Sequence, residues 1–144
     1  MGRGGGLRKP TVVLDTNMLM LLHSGVDVLG TLEEALEAKP HYLVPSLVVE
    51  ELERISEKGT PKERRAARFA LSVIRRLGLE VVEVDRLPGE GVDDAIARFA
   101  RENGYIVATS DRELRRKLRR MGVLDAYYRE SERRVELGGD TPVF

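Results

Sequence analysis

Thr11-Val12-Val13-Leu14-Asp15 is the stretch on which the fold turns. Its apolar residues run consecutively rather than alternating, as in a strand buried on both faces of a parallel sheet. An acid directly after such a strand is costly unless it is paired, capped or coordinated. The pattern returns nearly a hundred positions later. Tyr105-Ile106-Val107-Ala108 is a second buried run, and it ends at Thr109-Ser110-Asp111.

Between and around these runs the chain alternates. Val28 to Ala38 carries Leu29, Leu32, Ala35 and Leu36 at helical spacing and is stopped by Lys39-Pro40. Tyr42-Leu43-Val44 forms a strand, and Pro45-Ser46 opens a helix to about Ser56, with Ser46 expected as N-cap. After the turn Lys58-Gly59-Thr60-Pro61, a helix from Lys62 to Leu77 buries Ala67, Ala70, Leu71, Ile74 and Leu77 and stops at Gly78. Leu79 to Val84 reads as a third strand, and Pro88-Gly89-Glu90-Gly91 breaks it from a helix over Asp93 to Glu102, with Ile96, Phe99 and Ala100 inward. Leu114, Leu118 and Met121 mark a last helix, Ala126-Tyr127-Tyr128 a fifth strand, and Arg133 to Leu137 a further short strand or a surface tail. Strands alternating with helices specify a three-layer α/β/α fold around a mostly parallel sheet of about five strands with right-handed crossovers. The organisation expected is a glycine-rich arm over 1–10, one domain over 11–137 and a tail over 138–144.

Composition excludes several classes. The 144 residues are one domain's worth, and with no Cys there is no disulfide frame, thiolate metal site or cysteine nucleophile. No apolar run approaches a membrane span, and the N-terminus lacks a signal-peptide core, so a cytoplasmic protein with no membrane partner is expected. Net charge is zero, with 24 basic and 24 acidic residues, yet the bases cluster. They crowd Lys62 to Arg76 and Arg112 to Arg120, either as ordinary solvated helix faces or as two faces that hold a polyanion.

Four acids fall where a strand ends or a helix begins: Asp15, Glu51, Asp93 and Asp111. Ligands of open parallel sheets bind beyond the carboxyl ends of the strands, where strand order reverses, and a parallel sheet brings these acids to that edge. Gathered carboxylates repel one another unless a cation sits among them. Each acid also has a plainer reading. Asp93 and Asp94 serve equally as first-turn partners of a helix dipole, Asp111 as an N-cap, and Glu50, Glu51 and Glu53 as exposed helix charges. His23 and His41 read as surface or packing residues.

Leu14-Asp15-Thr16-Asn17, Val44-Pro45-Ser46 leading to Glu50-Glu51-Leu52, Asp93-Asp94-Ala95-Ile96-Ala97, and Ile106-Val107-Ala108-Thr109-Ser110-Asp111 together resemble the PIN-domain ribonucleases from Val12 to about Tyr128. The resemblance implies a metal-dependent endoribonuclease using Mg²⁺ or Mn²⁺. Asp15, Glu51, Asp93 and Asp111 then form the acidic, metal-binding centre, with Asn17 and Thr109 as polar supports. Ile96 and Ala100 select Asp93 over Asp94, which stays as a substitute ligand, and Leu52 selects Glu51 over Glu50. RNA would lie along Arg64, Arg68, Arg112, Arg115, Arg116 and Arg119. Two roles follow within the group. One is a VapC-type toxin, which is usually dimeric and paired with an antitoxin. The other is RNA processing alongside ribosome-assembly partners, favoured by the basic segment that follows Ala108-Thr109-Ser110-Asp111-Arg112-Glu113-Leu114.

Other classes compete. A haloacid dehalogenase-type phosphatase carries a second Asp two residues after its nucleophile, where this chain has Asn17. A receiver domain would place its phosphoacceptor after the third strand, where Val84-Asp85 stands. A non-catalytic RNA-binding scaffold is opposed by the intact set of four acids.

Overall fold

The computed structural model describes residues 9–139. The expected arm over 1–10 and tail over 138–144 therefore lie almost wholly outside the described residues. Within them a six-stranded sheet runs in the order β3-β2-β1-β4-β5-β6. Its strands are β1 (Thr11–Leu14), β2 (His41–Pro45), β3 (Glu80–Val82), β4 (Ile106–Ala108), β5 (Asp125–Arg129) and β6 (Arg134–Leu137). Every neighbouring pair is parallel except β5 and β6, which form an antiparallel hairpin from Ala126↔Leu137 to Arg129↔Arg134. The Arg133 to Leu137 segment is thus a sixth strand, and the expected Leu79 to Val84 strand is shorter.

The helices are α1 (Thr16–Met20), α2 (Val28–Leu36), α3 (Ser46–Lys58), α4 (Pro61–Leu77), α5 (Val92–Asn103) and α6 (Arg112–Arg120). Helix α1 has no counterpart in the sequence pattern. It is five residues long and starts directly after β1, with the Asp15 carboxylate accepting the Thr16 N–H as its cap. Helix α4 has the local signals of a strong helix: Pro61 in the first turn, a reciprocal capping box between Thr60 and Glu63, and Gly78 in the left-handed conformation at φ 62°. Its expected last core residue, Leu77, is instead 59% exposed, because the helix has left the core by its final turn. Ser46 is the first residue of α3 rather than its cap. Its hydroxyl accepts the Val84 N–H at 3.0 Å and ties the chain beyond β3 to α3.

β1 lies at the centre, with Val12, Val13 and Leu14 fully buried between Val44 of β2 and Val107 and Ala108 of β4. The chain lays down β1, β2 and β3 in one direction and then returns to place β4 on the other side of β1. Strand order therefore reverses between β1 and β4, and the crevice at their carboxyl ends is where such sheets receive ligands.

The far side of the sheet is held by a charge cluster. Asp125, wholly buried at the start of β5, accepts from Arg115 Nε at 2.8 Å and from Arg119 Nε at 2.7 Å. The Arg115 guanidinium also stacks on Tyr127, 3.7 Å from the ring centroid. Gly138 closes the cluster, its N–H donating to the Asp125 carbonyl at 2.8 Å. A Cβ at Gly138 would stand 2.3 Å from Asp125 Oδ1 and 2.4 Å from Arg119 Nη2. Gly138→Ala is accordingly expected to destabilise the domain by about 1–3 kcal/mol in denaturant titrations, because atoms locked in ion pairs must shift. An unchanged midpoint would show that the segment yields freely.

Candidate active site

Asp15, Glu51, Asp93 and Asp111 line one cleft of about 500 Å³ beyond the carboxyl ends of β1 and β4. Each comes from a different element. Asp15 ends β1, Glu51 lies on α3, Asp93 sits in the first turn of α5, and Asp111 caps α6 by accepting the Leu114 N–H at 3.1 Å. Capping and cleft-lining are thus compatible roles for Asp111.

The most elaborate positioning is around Asp15, 7% exposed. Its Oδ1 accepts the Thr16 N–H at 2.9 Å, and its Oδ2 accepts the Thr109 hydroxyl at 2.7 Å and Asn17 Nδ2 at 3.2 Å. Thr109 Oγ1 in turn accepts the Asp111 N–H at 3.1 Å and Asn17 Nδ2 at 3.3 Å. Asn17 Oδ1 accepts the Ser110 N–H at 2.9 Å. One network therefore spans both strand ends and fixes the Asp15 carboxylate. Glu51 is oriented by the buried Thr16, whose hydroxyl donates to Glu51 Oε1.

The electrostatics are those of acids crowded together. Burial pushes the Asp15 carboxyl up to about 6, against the hydrogen bonds from Thr109 and Thr16, and the charges of Asp93 and Glu51 push it the same way. Asp93 is raised by burial and then by the charge of Asp111, with Lys117 opposing.

Two alternatives of register can be compared directly. Asp93 faces the cleft, whereas Asp94 is exposed and paired with Lys117 of α6, which holds its carboxyl below the usual range. Asp94 thus stands outside the cleft lining, engaged by Lys117. Glu50 and Glu51 both line the cleft, but Glu50 is exposed while Glu51 is half-buried and hydrogen-bonded to Thr16.

The donor set is entirely oxygen, the kind Mg²⁺ and Mn²⁺ take, and two of its members, Asp15 and Asp93, are raised by burial first and by neighbouring carboxylates second. Among the described residues no group of three or more His, Cys, Asp or Glu side chains is already spaced to hold an ion. Such ions commonly retain several waters and need only one or two direct carboxylates, so the cleft fits a hydrated cation.

The arginines divide differently from expectation. Arg115 is buried against Asp125 and Tyr127, and Arg119 is turned to the same carboxylate. These two build the core of the α6–β5 contact, a structural role that the expectation of an RNA surface did not include. Arg64 donates to the Gly59 carbonyl and Arg68 to that of Ser56, bracing the turn between α3 and α4. Arg112 is exposed, and Arg116 lies 3.9 Å from Glu113. None of the six lines the cleft; Arg54 and Arg86 do, together with Met20, Leu47 and Val92. Sequence reasoning missed both arginines. Arg54 follows Glu51 by three positions on α3, a spacing that signals a shared face; Arg86, in the loop after β3, carried no such signal. His23 packs edge-on against Phe69 and His41 pairs with Glu80, and neither lines the cleft.

An open α/β sheet with a carboxylate-lined cleft at its switch point defines the class, and comparison with known proteins narrows it. The model of the PIN-like domain family matches residues 12–130, and the chain belongs to that family. Ribonuclease VapC9 of Archaeoglobus fulgidus is 35% identical over 132 residues, which cover 91% of this chain and 92% of that protein. Among solved structures, the PIN domain endonuclease Utp24 superposes with a TM-score of 0.71 at 24% identity over 92% of each chain. PAE2754 from Pyrobaculum aerophilum gives 0.54 at 20% identity, over 82% of this chain and 92% of that one. These two likenesses bear on the fold.

Proposed function

We propose that the chain is a divalent-metal-dependent endoribonuclease whose reaction takes place in the cleft of Asp15, Glu51, Asp93 and Asp111. The observation that carries the reading is the fixing of Asp15 by Thr16, Asn17 and Thr109, beside carboxylates from three other elements. Burying an acid costs stability, and donors on both of its oxygens offset only part of that cost. It makes sense where the carboxylate must be held ionised and aimed.

Asp15 and Asp93 would hold the cation, with Glu51 and Asp111 reaching it directly or through water. A cation held there supplies positive charge for a phosphoryl oxygen and acidity for a water. The protein's own part is positional. Thr109 keeps Asp15 from rotating, Asn17 keeps the Thr109–Asp111 backbone against β1, and Thr16 aims Glu51. The cleft has no histidine among its lining residues, so a carboxylate must accept any proton that protein groups take up.

Incubation of structured and unpaired RNA with the protein in Mg²⁺ or Mn²⁺, against the same mixture with chelator, tests the reading. Cleavage confined to the metal-containing samples is expected. RNA binding that persists without metal-dependent cutting would instead make the chain a binding scaffold.

The biological role has two readings. Similarity to Ribonuclease VapC9 along nearly the whole chain supports a VapC-type toxin restrained by an antitoxin. The Ala108 to Arg120 segment supports RNA processing. A small reading frame adjacent to this gene would favour the first. Either role sets the chain to work on cytoplasmic RNA. Among the described residues no helix is long and apolar enough to cross a membrane.

A further inference from the structure

The cleft is not purely acidic. Arg54 and Arg86 line it from two separate elements, α3 and the loop after β3, and both side chains are exposed. Arg54 lies 3.6 Å from Glu51, a long and solvent-exposed contact that leaves most of its hydrogen-bonding capacity unused. Arg86 donates through Nε to the carbonyl of Glu90 at 3.0 Å and has no carboxylate partner among the described residues. The nearby acid is bonded to other donors and meets Arg86 only through space: the Glu90 carboxylate takes Arg98 Nε and Nη2, each at 3.0 Å, and the Leu87 N–H at 2.9 Å. Arg98 also reaches the Asp85 carbonyl at 2.7 Å. The loop from Asp85 to Glu90 is therefore braced from α5, and it presents Arg86 to the cleft on a fixed support.

A guanidinium in a fixed place beside an acidic centre attracts phosphate, which it recognises through paired N–H donors. Met20, Leu47 and Val92 complete the same cleft with apolar surface. We propose that Arg54 and Arg86 are positioning residues that grip the phosphates flanking the scissile bond of an unpaired RNA strand, while Met20, Leu47 and Val92 receive an adjacent base. Paired RNA is read across a wide, shallow minor groove by an open surface, whereas a cleft of about 500 Å³ suits one nucleotide turned out of its stack. The RNA path then crosses between α3 and the Asp85 to Glu90 loop, not along α6. This inference rests on the endoribonuclease reading for its scissile bond, but the binding path can be tested without turnover.

The probe is a short unpaired RNA, labelled for fluorescence anisotropy and checked for integrity on gels, titrated in Mg²⁺ and in chelator across a salt series. Arg54→Ala and Arg86→Ala are each expected to weaken binding about tenfold and to make the dependence of log K on log salt shallower by about one. In cleavage assays KM should rise with kcat little changed, and Arg86→Lys should restore the salt slope but not the full affinity. Thermal unfolding should be unaltered, and Arg75→Ala on the exposed face of α4 should bind as the wild type does. Unchanged salt slopes in both alanine variants overturn the path even if the protein cleaves RNA. Slopes that fall as expected without any cleavage uphold the path and sink the nuclease reading. Equal binding of a duplex, with the same dependence on the arginines, overturns the preference for unpaired RNA.

Discussion

Asp15→Asn is expected to lower metal-dependent RNA cleavage at least about a hundredfold, the scale on which one preorganised electrostatic group contributes to a transition state. It is also expected to make the metal-free protein more stable. The second effect separates loss of chemistry from loss of fold. Burial raises the Asp15 carboxyl from 3.8 to about 6, so between those values the folded chain keeps a proton that the unfolded chain has lost. Stability must therefore fall as pH rises through that window and level off above it. The loss amounts to roughly 3 kcal/mol, at about 1.4 kcal/mol for each pH unit across the window.

Asparagine removes that charge penalty but introduces a mismatch. Both Asp15 oxygens accept hydrogen bonds, so whichever way the amide is turned, its nitrogen meets a donor: the Thr16 N–H on one side, or Asn17 Nδ2 and the Thr109 hydroxyl on the other. One lost hydrogen bond, about 1 kcal/mol, leaves a net gain of about 2 kcal/mol near neutral pH. Denaturant titrations of both proteins in chelator, at pH 4 and pH 7, measure it. The wild type should lose more stability between the two than the variant, in which only the raised Asp93 carboxyl still contributes a loss. A variant less stable than the wild type at pH 7 would mean that the carboxylate is stabilised in its site even without a cation.

The second large effect lies away from the cleft. Asp125→Ala should cost about 3–5 kcal/mol, because removing one partner of a buried ion pair leaves the other charge in the core without compensation. Here two arginines lose the Asp125 carboxylate, and Arg115 cannot simply swing to water, being buried under Tyr127. Thermal or denaturant midpoints would show it. Asp125→Asn keeps one acceptor oxygen but turns its amide nitrogen toward the other guanidinium, and should fall between. A cost below about 1 kcal/mol in the alanine variant would mean that water replaces the carboxylate, contrary to the full burial of that site.

The sequence disclosed what depends on local pattern. β1 and β4 were legible because Val12 to Leu14 and Ile106 to Ala108 are apolar runs that end abruptly at a polar residue. The ends of α4 were legible because Thr60-Pro61 and Gly78 act on their own neighbours. Helix α1 escaped because five residues carry too little periodicity, and Arg133 to Leu137 stayed open between strand and tail because the place of β6 depends on a hairpin partner. Of the candidate site, the residues tied to strand ends and first turns could be named, since topology gathers such positions whatever the side-chain details. The arginines could not be sorted in the same way. Arg115 and Arg116 are neighbours of like composition, and what separates them is Asp125, ten residues beyond Arg115 and visible as a partner only once β5 is packed against α6. Likewise Asp94 differs from Asp93 by pointing at Lys117.

The meeting of β1 with β4 has a consequence for how such a protein is made. Register pairs Val12 with Ile106 and Leu14 with Ala108, and β4 in turn is lined by Ala126 of β5. A chain emerging from its N-terminus carries Asp15 early, but its Thr109 anchor and Asp111 arrive only after more than two thirds of the sequence has been synthesised. The half-made chain therefore has no cleft, and a protein that cuts RNA would be born harmless to the transcript and ribosome that are producing it.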